Sequence, residues 1–283
     1  MKGAVMKKGK QPRSVGRVAR DVTVIGMALL WLVPTWLLVV NALTSVETYT
    51  GSPRWVPDGF GFFDNLVAAW DAGDFGQATA NSLGYAFVCA AAAVLVAAGA
   101  AFAVAVMPVR RPALWFWLIY TGTLLPLQVF VRPLFSASAE LDLYDSWTGL
   151  AIVYTAICVP FAFFVIRNYL ATVPREITEA ALLDGASWWR VFYSVHLPLA
   201  KPAMAAAFIF QFVWVWNELL FGISLTFSPT ARPIMAALAD LSSGYSRVPP
   251  PVVLAAALAV SVPTVALFFA FQRLFVSSMR TNI

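Results

Sequence analysis

The sequence has few charged residues for its length. Only 12% of its 283 residues are Asp, Glu, Lys or Arg, whereas 60% are hydrophobic, and the mean hydropathy is +0.77. A soluble domain carries about 25% charged residues. This composition excludes an ordinary water-soluble domain, and it predicts an all-α polytopic membrane protein of the inner or plasma membrane.

Residues typical of catalysis are also scarce. The two cysteines, Cys89 and Cys158, lie in separate apolar runs and are expected to be buried thiols rather than a disulfide or a metal site. The single histidine, His196, is predicted to be a helix-dipole partner or an exposed side chain rather than a catalyst. The sequence contains no Ser/His/Asp set, no paired carboxylates in one apolar run and no metal-ligand spacing. We therefore expect no catalytic residues, no cofactor and no bound metal.

Long apolar runs are abundant, and six of them can cross the hydrocarbon core of a bilayer as helices of about 20 residues. They cover residues 22–43, 83–107, 113–135, 147–166, 203–227 and 252–275. The predicted fold is thus a six-helix transmembrane domain at 22–275. A basic arm at 1–21 precedes it, and a short tail at 276–283 follows it.

The basic residues are distributed unevenly between the two sides of these spans. Cytoplasmic loops are enriched in Lys and Arg, so the more basic side is predicted to be cytoplasmic, together with both termini. The basic residues show no interleaved aromatic face, which argues against a nucleic-acid partner. All 19 Lys and Arg residues lie on the predicted cytoplasmic side except Arg54, Arg132, Arg232 and Arg247.

The predicted cytoplasmic loop at 167–202 breaks the apolar pattern with the segment EAALLDGASWWRVFYSVHLPLAKP. Thr172 is expected to cap a short helix with Pro174 in its first turn, and Gly185 to end it in the left-handed conformation. Ser187 is expected to cap a second helix, which Leu197 and Pro198 end before the next span. The segment is either a docking surface or an amphipathic connector whose tryptophans rest among lipid headgroups.

This segment resembles the EAA loop of ABC importer permeases. The pattern is EAA, three residues, Gly, then about nine residues to a Leu-Pro pair. Other stretches, PREITEAA, WNELLFG, NSL and FQRLFV, resemble the maltose-permease-like subunits of carbohydrate importers, so the likeness covers about residues 20–280. The chain departs from the family at AFAVAVMPVRRP, at the end of the second span. The residues that fill the loop pattern, with the flanking acids, are Glu176, Glu179, Ala180, Ala181, Asp184, Gly185, Leu197 and Pro198.

The resemblance implies a type I ABC importer permease that imports a sugar or sugar-like solute. The partners it implies are a second permease subunit, two ATPase subunits and an extracellular or periplasmic solute-binding protein. The chain has no G-x-x-x-x-G-K-[ST] motif, and the resemblance implies that the ATPase subunits bind ATP–Mg while the EAA loop couples to them. A secondary transporter, a channel subunit and a permease for a non-sugar solute are the alternatives.

Two further sets of candidate residues lie outside this loop. Glu218 is an acid within a predicted span, where a carboxylate is costly, and with Trp216, Asn217 and Asn81 it forms a possible translocation pathway. A structural polar contact between helices is the alternative role for Glu218. Gly244 and Tyr245 occupy the position of the family's external loop that reaches the binding protein, although an ordinary surface loop fits as well.

Overall fold

The computed structural model describes residues 15–243 and 248–280, and in these ranges the chain is helical with no strand. The last three residues of the tail, most of the basic arm, Gly244 and Tyr245 lie outside the described residues. The helices are α1 (Val15–Leu43), α2 (Phe62–Ala72), α3 (Phe75–Ala105), α4 (Pro112–Tyr120), α5 (Gln128–Glu140), α6 (Trp147–Leu170), α7 (Arg175–Leu183), α8 (Trp188–Val191), α9 (Leu197–Trp216), α10 (Leu220–Leu225), α11 (Ile234–Leu241) and α12 (Pro250–Arg280).

The centre of the molecule is a bundle of α3, α6 and α9, which pack against one another along their lengths. One face of α3 consists of small residues that allow close helix approach within a membrane. The residues of this face that are fully or almost fully buried are Ala86, Ala90, Ala93, Ala97, Ala98 and Ala101. The pair formed by α1 and α12 lies beside this bundle and contacts α2.

The outer surface of α1 is apolar and exposed along most of its length. Trp31 is 81% exposed and Leu30 is 70% exposed. A hydrophobic surface of this size in a 25-residue apolar helix segment is suited to lipid acyl chains. The bundle therefore has the surface of a membrane protein.

The structure confirms a multi-span membrane protein but corrects the shape of the third span. In the ranges that the structure describes, five helices are long and apolar enough to cross a membrane, and α4 and α5 provide a sixth crossing if they count as one span. The axes of these two helices meet at an angle of 90°. Pro126 lies between them and cannot donate a backbone hydrogen bond, which favours a break here. The span predicted at 113–135 is therefore two helices joined by a sharp bend rather than one continuous helix.

The fifth span is also displaced from its predicted position. An uninterrupted helical segment, Trp188–Trp216, starts in the loop and ends before Glu218. Leu197 and Pro198 do not end a helix, because a π-helical turn at Phe192–His196 leads directly into α9. Within this turn the N–H of Leu197 bonds to the carbonyl of Phe192. The wider turn shifts the backbone that Pro198 would otherwise clash with, so the helix continues.

Candidate functional site

The short helix α7 carries the residues that fill the loop pattern, and its start differs from the prediction. Pro174, not Thr172, is the residue that precedes the first helical turn. The hydroxyl of Thr172 instead donates to the carbonyl of Tyr169, at 2.7 Å. The side chain of Thr172 therefore satisfies a carbonyl in the last turn of α6 and does not cap the start of α7.

The end of α7 is a tight left-handed turn at Gly185, as the sequence predicted. Gly185 has φ +80°, and its N–H donates to the carbonyl of Leu182 at 3.0 Å. The N–H of Ala186 donates to the carbonyl of Ala181, also at 3.0 Å. These two bonds are the paired closure of a Schellman turn, in which glycine is favoured because it has no Cβ. Ser187 then caps the next helix by accepting from the N–H of Arg190, which confirms that prediction.

The outer face of α7 is exposed and acidic. Glu176 and Glu179 are exposed, and within the ranges that the structure describes they form no ion pair. Leu183 follows on the same helical stripe and is 89% exposed. Leu183 was not among the predicted site residues, although its spacing of four residues from Glu179 could have indicated it. Ala180, Asp184 and Gly185 are exposed around this face, and Ala181 is partly buried.

The inner face of α7 is attached to the bundle through a buried polar contact. Thr178 is 8% exposed, and its hydroxyl lies 2.9 Å from Nε2 of His196 in the π-helical turn. His196 is 2% exposed and packs against the ring of Phe102. The expectation of an exposed or dipole-paired histidine is therefore wrong. α7 is joined directly to the helical segment that becomes α9.

Glu218 lies in the short break between α9 and α10, where it is 8% exposed and accepts several hydrogen bonds. The hydroxyl of Tyr154 on α6 donates to Oε2 at 2.7 Å. The backbone N–H of Phe221 donates to Oε1 at 3.0 Å, and that of Gly222 to Oε2 at 3.2 Å. The carboxyl group thus accepts hydrogen bonds from the free N–H groups of the first turn of α10 and links α10 to α6 through Tyr154.

The other predicted pathway residues lie in different environments. Trp216 is 2% exposed and its Nε1 donates to the carbonyl of Val260. Asn81 is 5% exposed, and its amide donates to the carbonyls of Pro229 and Arg232. Asn217 is exposed and donates to the carbonyl of Val213 at 2.7 Å. Trp216 therefore joins α9 to α12, and Asn81 joins α3 to the loop before α11; the role of all three in a pathway stays a prediction.

The opposite end of the bundle contains an acid with a perturbed pKa, Asp145. Burial acts to raise the pKa of Asp145, but hydrogen bonds from the backbone N–H groups of Phe227 (2.8 Å) and Ser228 (3.0 Å) outweigh this effect. With the Ser228 hydroxyl and the Arg232 charge, they hold the pKa below its ordinary value. Asp145 thus fastens the segment after α10 to the start of α6.

A cavity of about 310 Å³ lies between α6, α9 and the segment that connects α4 to α5, at the bend of the third span. Most of its lining was not predicted, because the residues come from three separate apolar runs. Pro126, three residues after the Thr-Gly-Thr segment at 121–123, was the one signal for a break there. The cavity is lined by Gly122, Thr123, Leu125, Leu127, Ile157, Phe161, Phe210, Gln211 and Trp214.

A bundle of membrane helices with a broken span is typical of integral membrane transport components. The sequence profile of one such family, the binding-protein-dependent transport system inner membrane component, matches residues 93–281. The chain belongs to this family, and it is a membrane permease component.

Curated relatives match over almost their whole length. The trehalose transport system permease protein SugB of Mycobacterium tuberculosis is 29% identical, over 93% of this chain and 94% of its own. The diacetylchitobiose uptake system permease protein NgcG of Streptomyces coelicolor is 29% identical, over 87% and 83%. The sn-glycerol-3-phosphate transport system permease protein UgpE of Yersinia enterocolitica is 30% identical, over 90% and 92%.

A solved structure has the same fold. It is a bacterial ABC transporter involved in the import of the acidic polysaccharide alginate, with a TM-score of 0.77 over 95% of this chain and 99% of that chain. The two sequences are 19% identical. This likeness shows that the two chains share one fold.

Proposed function

We propose that this chain is one half of the translocation pathway of an ATP-driven importer for a sugar or sugar-like solute. The other half is a second permease subunit, and a solute-binding protein delivers the solute. ATP is bound and hydrolysed by separate ATPase subunits that contact α7. The observation that carries the proposal is the exposed acidic face of α7, held to the bundle by Thr178 and His196.

The outer face of α7 has the composition of a docking surface. Leu183 is an apolar side chain that protrudes almost fully into its surroundings, and the nearby Trp189 is 72% exposed. Protein interfaces commonly combine a few apolar or aromatic anchors with charged residues around them. Glu176 and Glu179 supply that charge and remain available to basic groups of a partner.

The inner face of α7 provides a route for mechanical coupling. A displacement of α7 acts on His196 through the 2.9 Å contact with Thr178. His196 belongs to the π-helical turn that is continuous with α9, so the displacement reaches a transmembrane helix directly. Such turns are often found at functional positions of helices. Coupling of this kind needs an element with two positions, and α7 with its glycine turn is suited to this role.

The relatives support sugar import, because two of them are named as permeases for the disaccharides trehalose and diacetylchitobiose. The family membership supports separate ATPase subunits and a second permease subunit as the partners. Asn217 and Glu218 remain candidate pathway residues beside these partners, and Gly244 and Tyr245 remain candidates for contact with the binding protein.

Cross-linking from α7 tests the proposal. Cys89 and Cys158 are 0% and 1% exposed, so a Leu183→Cys variant presents one accessible thiol. The complete importer is assembled in vesicles with its second permease subunit, ATPase subunits and binding protein. We expect a short bifunctional thiol-to-amine reagent to link position 183 to the ATPase subunit, and ATP hydrolysis to rise when the loaded binding protein is added.

A matched control uses an exposed position away from α7. Val67→Cys on α2 presents a residue that is 60% exposed on the predicted external side. This variant should give no link to the ATPase subunit. Two results together would contradict the proposed function: no cross-link from Leu183→Cys to the ATPase subunit, and no change in ATP hydrolysis when the loaded binding protein is added.

A further inference from the structure

The bend between α4 and α5 lies near the middle of the membrane. A Cβ added to Gly122 would lie 2.9 Å from Cγ of Pro160, so the bend packs closely against the central part of α6. The amide of Gln211 on α9 donates to the carbonyl of Cys158 at 3.0 Å, which places Gln211 at the same level. Both contacts converge on the middle turns of a 24-residue span.

Irregular backbone at this depth cannot face lipid. The N–H groups of Leu125 and Leu127 donate to no backbone carbonyl among the residues described. Unpaired backbone groups in hydrocarbon cost several kcal/mol each, so non-helical segments at this depth face protein or a water-filled cavity. The bend therefore turns towards the interior of the assembled transporter. In membrane transporters, broken helices near the midplane commonly form substrate sites.

The cavity beside the bend combines aromatic surfaces with a few polar groups. Phe161 and Phe210 form an edge-on pair with ring centroids 5.8 Å apart, and Trp214 lines the same cavity. The side-chain carbonyl of Gln211 has no hydrogen-bond partner in the described part of the chain. Aromatic walls with a small number of convergent polar groups are typical of small-molecule sites, which have volumes of about 300–1,000 Å³.

The lining of this cavity favours an uncharged sugar over a phosphate ester. A sugar ring presents C–H surfaces to aromatic side chains and hydroxyl groups to amide and backbone groups. No charged side chain lines the cavity in the ranges 15–243 and 248–280. A phosphate monoester would therefore lose its hydration without a cation to compensate.

We infer that this cavity is a sugar subsite of this subunit, formed by Phe161, Trp214 and Gln211 and suited to an uncharged disaccharide rather than a sugar phosphate. This inference rests on the proposed import function. The subsite does not include Trp216 or Asn81, whose side chains form hydrogen bonds within the chain.

The test measures uptake by the complete importer in vesicles with three labelled probes: trehalose, N,N′-diacetylchitobiose and sn-glycerol 3-phosphate. We expect uptake of a disaccharide in preference to the phosphate ester. A Phe161→Ala variant should lower disaccharide uptake about tenfold, because one wall of the subsite is lost. A Trp214→Phe variant keeps an aromatic wall and should retain most of the uptake.

Phe268→Ala is the matched control, since Phe268 is 60% exposed in α12 and lies away from the cavity. Its disaccharide uptake should equal that of the unaltered importer. Unchanged uptake by Phe161→Ala, preference for sn-glycerol 3-phosphate, or uptake of none of the probes would overturn the subsite. If binding-protein-stimulated ATP hydrolysis persists in those cases, the import function itself stands; its absence in the unaltered importer would instead contradict that function.

Discussion

Two sets of acidic residues, Glu218 in the transmembrane bundle and the glutamates of α7, have opposite surroundings. Glu218, in the break between α9 and α10, is 8% exposed and accepts hydrogen bonds from Tyr154, Phe221 and Gly222. Glu176 and Glu179 on α7 are exposed and make no ion pair among the described residues. Glu218 thus forms hydrogen bonds within its own chain, whereas Glu176 and Glu179 are available to contact a partner.

This difference changes how an acid within a membrane protein should be interpreted. A carboxyl group in an apolar setting suggests transport chemistry by its cost alone. Here the contacts of Glu218 account for its presence, because they cap α10 and fasten it to α6. The exposed acids of α7 have no such structural explanation, so they are the better candidates for coupling. Substitutions in the two groups should therefore have different consequences, for folding in the first and for import in the second.

Replacement of Glu218 by leucine should have the largest effect and prevent stable folding. Three donors would lose their partner: the hydroxyl of Tyr154 and the N–H groups of Phe221 and Gly222. Each orphaned buried donor costs about 1–3 kcal/mol, which together approach the stability of a typical domain. We expect no monodisperse protein after detergent extraction, measured by size-exclusion chromatography. Glu218→Gln retains an acceptor and should remain folded; equal behaviour of both variants would contradict a structural role.

Charge reversal at Glu179, in a Glu179→Lys variant, should leave folding intact and abolish import. The substituted ammonium group would present a positive charge to a partner surface that favours an acid, at a cost of several kcal/mol. A loss of about 2.7 kcal/mol corresponds to a roughly 100-fold decrease in association. Solute uptake and binding-protein-stimulated ATP hydrolysis in vesicles measure this effect. The control is Asp71→Lys, which reverses an exposed acid on α2 and should have no effect. Normal uptake by Glu179→Lys would place the coupling surface elsewhere.

Replacement of Gly185 by valine should weaken coupling through the turn rather than through a clash. No atom lies within 4 Å of an added Cβ, but the residue has φ +80°. An L-residue in the left-handed region costs about 1–2 kcal/mol, and a β-branched one more. We expect uptake to decrease by about tenfold. Gly185→Asn tolerates this conformation and should retain uptake, so equal losses in both variants would argue against the turn as the cause.

The smallest effect is expected at Asp145, and it depends on pH. The pKa of Asp145 is lowered in the folded protein, so the carboxylate stabilises the fold above the ordinary pKa of aspartate, about 3.9. This contribution is lost as the pH falls through the lowered value. Thermal unfolding of Asp145→Ala should therefore occur at a lower temperature than that of the unaltered protein at pH 7. The difference should disappear in strong acid; a constant difference at all pH values would contradict the linkage.

Much of the site could be predicted from local sequence because its parts are local. The turn at Gly185 and the cap at Ser187 depend on hydrogen bonds between residues a few positions apart, and both were predicted correctly. The Thr172 cap and the stop at Pro198 were wrong because other backbone arrangements compete at the same residues. At Pro198, a π-helical turn removes the clash that would normally end a helix. Leu183 was overlooked although its spacing on α7 indicated exposure.

The sequence by itself determined the membrane environment, the number of apolar runs and the position of the α7 segment, since these depend on composition and near neighbours. The tertiary structure alone decided that the third span bends, that His196 is buried against Thr178, and that Gln211 and Phe161 share one cavity. Hydropathy is equally high on both sides of a bend, so it cannot reveal one. The contacts that gather Phe161 and Gln211 join residues about 50 positions apart, and only the packing of α6 against α9 brings them together.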